Sequence, residues 1–327
     1  MKIDSSNVSE DIQKARPNVK ANTVKQYEVN LKKLQKLYDS DNYDFLSKPD
    51  DVMDKIKDLH YLSQRNILNA IVVLLMALNS DEKYDELLIT YGELRDELND
   101  KYSNEQKSGV ISDKQSKNFT TTEEVFKMIN DMAEDLKPIK KKSKDEITKK
   151  EMQLLQAWVL FNIYARQPFR NDLGDGAEAI NQASYKKLSE QDKKDNNFLV
   201  VPSKGNLYWV INKFKTSKRY GELNLPIEDK NLRKILRYYL KINGMGVLFK
   251  TSTGKPLTRT ELSKVLIKYS NKYMDKSIST TLLRKIYLSS KYGDMKKELE
   301  KDNKVMAHSM NVALESYVKK PQEKSSE

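Results

Sequence analysis

The chain has 327 residues, with 59 lysine and arginine residues against 47 aspartate and glutamate residues and a formal net charge of +12. This length predicts two domains, and the basic surplus predicts a polyanionic partner. The lack of cysteine excludes disulfides and thiolate metal sites, and two histidines leave little for a metal cluster, so we expect a reducing intracellular compartment and no cofactor.

The positive charge is concentrated in the second part of the chain. Residues 1–120 carry a net charge of −3, whereas residues 121–327 carry +15. Phosphate contacts are therefore expected mainly after residue 120. Within the first part, residues 1–40 carry +3 and residues 41–100 carry −8. A role in nucleic-acid binding is expected there on the first long helix, with a solvated surface of mixed charge as the alternative.

Apolar residues recur at helical spacing in the first part of the chain, which predicts a small all-helical domain over 21–104. The apolar run over 71–78 is too short to span a bilayer, so we interpret it as part of a buried core helix and expect no membrane partner. The predicted segments are a flexible arm over 1–20, helices over 23–37, 50–58, 63–79 and 82–104, and a polar linker over 105–120.

Three capping boxes predict helix starts in the second part, because a Ser or Thr there is followed three residues later by a Glu. They begin at Thr121, Ser143 and Thr258 and predict helices that extend to about residues 135, 164 and 273.

Three short segments between the last two helices are rich in β-branched and aromatic residues and are bounded by turn residues. They cover 198–201, 207–211 and 222–225. The predicted fold class is mainly α with a small three-stranded antiparallel sheet, in a second domain over 121–318. A short mobile tail is expected over 319–327.

A nucleotide-binding loop is not predicted. Gly254-Lys255 resembles the end of a phosphate loop, but Pro256 stands where Ser or Thr is required, and Phe249 occupies the first glycine position. We therefore expect no nucleotide partner.

Five residues form a set suited to cleaving a phosphodiester without a metal. Arg170 and Arg284 are expected at a helix end and a helix start, and guanidiniums can stabilise charge on non-bridging oxygens. Lys215 follows the second predicted strand, where it could protonate a leaving oxygen. His308 could donate a hydrogen bond to the phosphate. Tyr317, nine residues later, could attack phosphorus once it loses its proton.

With this order and setting, residues 120–320 resemble the catalytic domain of the tyrosine recombinases of the phage-integrase superfamily. The sequence Arg170-Asn171-Asp172 is similar to that of the family members found in eukaryotic transposons and large DNA viruses. Residues 20–115 resemble the core-binding domain of that family in length and helicity.

The resemblance implies a site-specific recombinase or integrase acting on double-stranded DNA. Cleavage and rejoining would proceed through a 3′-phosphotyrosyl intermediate, without metal or ATP, in a tetramer assembled on DNA. A eukaryotic element or a virus as the source implies a nucleus or a viral factory as the location.

Two positions bear on the activity that the resemblance implies. Thr281 stands where the family commonly has a His, three residues before its second Arg, and a hydroxyl cannot serve as a base near neutral pH. Asp172 or Asp175 could be the acidic residue that follows the first Arg.

Each assignment has a rival in the sequence. Arg166 competes with Arg170, and Lys215 has several basic neighbours, while two tyrosines near Arg284 are interpreted as core aromatics. These rivals are Arg166, Lys213, Lys218, Arg219, Tyr287 and Tyr292. Two other functions stay open: a type IB topoisomerase that relaxes a single duplex, and a non-catalytic DNA-binding protein derived from a recombinase.

Overall fold

The computed structural model of the chain describes residues 2–5, 7–79, 82–307 and 309–314. It is mainly helical, with 65% helix and a small mixed sheet of five strands. The chain divides into two compact units, one ending at Ile111 and the other beginning at Ser112.

The N-terminal unit is helical in its described residues and is built around one apolar helix. Its helices are α1 (Val8–Ala15), α2 (Ala21–Tyr38), α3 (Pro49–Ile56), α4 (Tyr61–Leu78) and α5 (Asp85–Ser108). Among the described residues, α4 is the one helix long and apolar enough to cross a membrane by length and composition. Eight of its residues are buried, and it packs against α1, α2 and α5. It is therefore the core helix of this unit.

The first residues of the chain, where we predicted a flexible arm, contain α1 and contacts to the rest of the unit. Ile3 and Ile12 are fully buried. The amide of Ile3 donates to Asp44 at 2.6 Å, and its carbonyl accepts from the amide of Tyr43 at 3.1 Å.

The C-terminal unit places helices around a short sheet. The helices are α6 (Asp113–Ser116), α7 (Thr122–Asp135), α8 (Lys149–Arg166), α9 (Gln182–Lys187), α10 (Glu190–Asp195), α11 (Ser217–Tyr220), α12 (Lys230–Asn243), α13 (Arg259–Met274), α14 (Thr280–Met306) and α15 (Met310–Val312). The strands are β1 (Glu178–Asn181), β2 (Asn197–Val201), β3 (Tyr208–Ile211), β4 (Leu223–Pro226) and β5 (Gly246–Val247).

The prediction of a three-stranded antiparallel sheet was wrong. The predicted segments form β2, β3 and β4 and pair antiparallel, but the sheet has the order β4-β3-β2-β1-β5. β1 pairs parallel with β2, and β5 pairs antiparallel with β1. These two strands escaped prediction because β5 has two residues and β1 has polar residues at both ends, so neither shows an alternating pattern.

Two of the three predicted boxes lie at the starts of the expected helices, and of these two Thr258 forms the reciprocal box with its Glu. The Thr121 and Thr258 hydroxyls each accept from the amide three residues on, at the starts of α7 and α13. The prediction for Ser143 was wrong, because its box closes only a 3-10 turn over Lys144–Glu146. A second box, Thr148 with Glu151, begins α8.

The core of the C-terminal unit surrounds α8, whose residues from Leu155 to Ala165 are all buried. One face of the sheet faces this core with Leu199 and Trp209, while Phe198 and Val200 belong to a smaller cluster. This alternation follows from the two-residue period of a strand. Burial on all sides fixes α8 in the unit and, with it, the loop that leaves its C-terminal end.

Candidate active site

Arg170 lies in the loop after α8, just before a 3-10 turn over Asn171–Leu173. Its side chain is exposed. Its carbonyl accepts a 2.8 Å hydrogen bond from the hydroxyl of Tyr164, which is fully buried in α8. Burial, together with the charge of Asp172, raises the pKa of Tyr164, so this hydroxyl remains a donor. The backbone of Arg170 is therefore anchored to the core while its guanidinium faces solvent.

The loop continues directly onto the first turn of α13. A Cβ on Gly174 would lie 2.7 Å from both Cα and N of Arg259. The amide of Asp175 donates to the carbonyl of Leu257 at 2.7 Å, and the amide of Arg259 donates to the Asp175 carboxylate at 3.2 Å. The absence of a side chain at Gly174 permits this close approach, which brings Arg259 beside the Arg170 loop.

Arg284 is the second predicted arginine and lies near the start of α14. Its Nη2 donates to the Thr281 hydroxyl at 3.2 Å, while its Nε is buried without a hydrogen-bond partner among the described residues. Burial, followed by the positive charge of Arg170, lowers the pKa of Arg284. Arg170 and Arg284, which are far apart in the sequence, are thus neighbours in the fold.

Asp172 is a carboxylate with an exposed fraction of only 7%. Burial raises its pKa, and the charges of Arg259, Arg170 and Arg284 oppose that shift in decreasing order. Its carbonyl accepts a 2.7 Å hydrogen bond from Asn197. Asp172 therefore lies among three arginines, with Arg259 as its strongest partner.

Arg259 is a site residue that the sequence analysis missed. Its Nη2 lies 3.6 Å from Asp172, and its Nε lies 3.0 Å from Asp175 as an ion pair without hydrogen-bond alignment. One signal was present in the sequence, since a cation in the first turn of a helix opposes the macrodipole. Such a cation needs a compensating partner, but the sequence does not identify which carboxylates supply it.

Lys215 is exposed and lies in the connection between β3 and β4. It forms no hydrogen bond or ion pair with another described residue. The connection is nevertheless held to the loop that carries Asp172, because the Asn197 side chain binds both segments. It donates a hydrogen bond to the carbonyl of Lys213 at 3.1 Å and accepts one from the amide of Lys213 at 2.7 Å. Nη2 of Arg259 donates to the same carbonyl at 3.1 Å.

The rival residues are placed differently. Arg166 forms an ion pair with Asp229 at 3.3 Å and donates to Asn162 at 2.7 Å, so its guanidinium is already engaged. This favours Arg170 as the arginine available to a ligand. The interpretation of Tyr292 as a core aromatic was wrong, because it is 42% exposed, and Tyr287 is only partly buried.

His308 and Tyr317 lie outside the described residues. The residues that the structure brings together are Arg170, Asp172, Thr281 and Arg284, with Arg259, Asp175, Asn197 and Tyr164 added around them. Across the part of the chain that is described, no group of three or more His, Asp or Glu side chains is arranged to hold a metal ion.

The arrangement defines a cationic site suited to a tetrahedral oxyanion. The charges of Arg170 and Arg284 act on each other, neither residue forms a salt bridge to a described carboxylate, and Arg284 carries a buried donor with no described partner. Fixed donors of this kind bind phosphate and stabilise charge that develops on its oxygens.

Comparison of the chain with protein-family models, curated proteins and solved structures finds no match.

Proposed function

We propose that the chain is a site-specific recombinase or integrase that cleaves and rejoins double-stranded DNA through a 3′-phosphotyrosyl intermediate. One observation carries the proposal. Arg170 and Arg284 come from distant parts of the chain, yet each lies within electrostatic reach of the other and of Asp172, and neither forms a salt bridge to a described carboxylate. Buried arginines are usually paired, so an unpaired, partly buried guanidinium beside another indicates an anionic ligand.

In the proposed mechanism, the two guanidiniums hold the non-bridging oxygens of the scissile phosphate. The Tyr317 oxygen attacks phosphorus as it loses its proton to water, and the bond from phosphorus to the 5′-oxygen breaks. Lys215 gives a proton to the departing 5′-oxygen, and His308 donates a hydrogen bond to the phosphate. The Thr281 hydroxyl accepts from Arg284 and orients it.

The phosphotyrosyl bond keeps the free energy of the broken linkage, so a 5′-hydroxyl can reverse the step without ATP. If that hydroxyl belongs to another duplex, strands are exchanged. Exchange between two duplexes requires several active sites, so the proposal includes assembly into a tetramer on DNA.

The test must not assume a target sequence. We propose to incubate the full chain with a pool of nicked duplexes of random sequence, in which cleavage near the nick releases a short fragment and traps the adduct. Protein–DNA adducts that survive boiling in detergent are recovered and sequenced. The reaction is run with excess chelator and without ATP, and the expected result is an adduct in both cases.

Single substitutions identify the nucleophile. Tyr317→Phe is expected to abolish the adduct, and Arg170→Ala is expected to reduce it strongly. Arg166→Ala serves as the matched control, because Arg166 is engaged with Asp229. An adduct that persists in Tyr317→Phe would move the nucleophile elsewhere, with Tyr287 and Tyr292 tested next.

DNA binding without an adduct at any sequence in the pool would contradict the proposal and favour a non-catalytic DNA-binding protein. Relaxation of supercoiled plasmid, with no joining between two duplexes, would favour the topoisomerase alternative.

A further inference from the structure

The surroundings of Arg259 point to a role that the proposed chemistry does not use. The guanidinium contacts three acceptors on two different segments: the carboxylates of Asp172 and Asp175, at 3.6 and 3.0 Å, and the carbonyl of Lys213, at 3.1 Å. The first two belong to the loop that carries Arg170, and the third belongs to the connection that carries Lys215. One side chain therefore joins the segments of two proposed catalytic residues.

The position of Arg259 is fixed by backbone packing. Gly174 lies so close to the first turn of α13 that a Cβ would meet three backbone atoms, Cα and N of Arg259 and the carbonyl carbon of Thr258, at 2.7 to 2.9 Å. Backbone atoms cannot move aside as a side-chain end can. The loop with its two carboxylates is consequently held against the base of the Arg259 side chain.

The distribution of charge follows from this placement. Three arginines and two aspartates meet here, and Asp172 interacts with all three guanidiniums. Arg259 holds both carboxylates in ion pairs, while Arg170 and Arg284 form none with a described carboxylate. If Arg259 were absent, the Asp172 carboxylate would face Arg170 and Arg284 alone. A carboxylate binds a guanidinium through the same paired donors that a phosphate uses, so the two would compete.

We infer that Arg259 is a positioning residue that occupies the carboxylate of Asp172 and so keeps Arg170 and Arg284 available to a phosphate. Through the carbonyl of Lys213, it also fixes the base of the connection that carries Lys215. The inference rests on the proposed function for its effect on DNA cleavage. Its effect on anion binding is independent of that function.

The test uses the full chain and inorganic phosphate as the probe, with affinity measured by calorimetric titration. Arg259→Ala is expected to weaken phosphate binding about 100-fold, as expected when binding groups are displaced from their working geometry. Asp172→Asn in the same chain is expected to restore about ten-fold of that loss, because it removes the competing carboxylate.

The rescue separates a positioning role from two others. A merely structural arginine, or one that itself binds phosphate, would leave Arg259→Ala/Asp172→Asn as weak as Arg259→Ala, and that result would overturn the inference. Unchanged phosphate affinity in Arg259→Ala would also overturn it. If Arg259→Ala does not fold, Arg259→Gln, which keeps the length but removes the charge, is expected to show the same loss and the same rescue.

A matched control and a second readout complete the design. Arg233 is in the same unit and donates only to the carbonyls of Ile227 and Glu228, so Arg233→Ala should leave phosphate affinity unchanged. Rates of adduct formation on the recovered DNA are expected to follow the phosphate affinities across the series. Loss and rescue of phosphate binding without an adduct in the parent chain would support the role of Arg259 and contradict the recombinase function.

Discussion

At the scale of single residues, the site depends on which groups are paired and which are free. Asp172 and Asp175 are held by Arg259, Tyr164 is held by the carbonyl of Arg170, and Arg284 keeps an unpaired donor. Lys215 differs from these, since it is exposed and forms no hydrogen bond or ion pair with another described residue. A general acid on an exposed connection makes its hydrogen bond to the leaving oxygen only after the substrate has bound.

Lys215→Ala should therefore produce a defect that depends on the leaving group. With ordinary DNA, we expect adduct formation to slow by about 10²- to 10⁴-fold, the usual contribution of a general acid. With a sulfur atom replacing the 5′-bridging oxygen, the leaving group is a thiolate whose conjugate acid has a pKa of about 8.5, so no acid is needed. The loss should then shrink to roughly ten-fold or less. Adduct formation on both substrates is the measurement.

Lys218→Ala is the control, because Lys218 is exposed in the same connection. It should cleave both substrates at nearly the parent rate. A sulfur-rescued defect in Lys218→Ala instead of Lys215→Ala would reassign the general acid to Lys218.

Gly174 offers a second residue-scale prediction, this time of stability. Gly174→Ala places a methyl group 2.7 Å from the backbone of Arg259, and we expect a loss of about 1–3 kcal/mol in the free energy of unfolding. Gly293→Ala, in the same unit, is the control because its Cβ would meet nothing within 4 Å. It should raise stability by about 0.4–1 kcal/mol, since a helical glycine is replaced by alanine. Urea denaturation measures both, and equal effects would contradict the packing argument.

At the scale of elements, local signals in the sequence predicted helices well and connections poorly. The boxes at Thr121 and Thr258 placed two helix starts correctly because capping is a local interaction. The box at Ser143 gave a wrong start for α8, because Thr148 forms a second box five residues later. α8 begins at that second box. β1 and β5 carry no local pattern, and their pairing is set by neighbours.

The same limit applies to the site. Arg170 and Arg284 could be proposed from their order in the chain and their helical settings. Arg259 could not, because its partners Asp172 and Asp175 reach it only through the close packing of Gly174 on α13. The contact between Arg259 and the two carboxylates is tertiary. Its one signal in the sequence is the unfavourable position of an arginine at the start of a helix.

The second capping box makes a prediction about pH. Hydrogen bonds from Lys142, followed by those from Thr148, lower the pKa of Glu151 to about 2 from an ordinary value of 4.5. A lowered carboxyl pKa adds stability that is present above the ordinary value and is lost as pH falls through the lowered value. The parent chain should therefore be more stable than Glu151→Gln at pH 7. The difference should shrink between about pH 4.5 and pH 2.

Thermal unfolding of both proteins across that range is the measurement. Glu298→Gln is the control, since Glu298 is exposed and forms no hydrogen bond or ion pair with a described residue. A difference between the parent chain and Glu151→Gln that does not change with pH would contradict a role for the charged form of Glu151.

At the scale of the whole molecule, charge separates the two units. Residues 1–111 carry a formal net charge of −4 and residues 112–327 carry +16, which together give +12. The unit that contains the arginine cluster thus also carries the positive net charge that would favour a polyanionic partner. Its field would concentrate DNA near the site before any specific contact forms.

DNA binding by the full chain should therefore depend steeply on salt. A protein that neutralises about six phosphates loses roughly 1,000-fold in affinity between 50 and 200 mM salt, because each contact releases condensed counterions. We expect a slope of this order for a 30-base-pair duplex of arbitrary sequence, measured by fluorescence anisotropy. Arg284→Ala should reduce the magnitude of the slope by about 1, since it removes one phosphate contact. Arg95→Ala should leave the slope unchanged, because Arg95 lies in the acidic unit and is paired with Asp96. If Arg284→Ala does not alter the slope, the guanidinium of Arg284 does not contact DNA phosphate. The anionic ligand of the arginine cluster would then be something other than the DNA backbone.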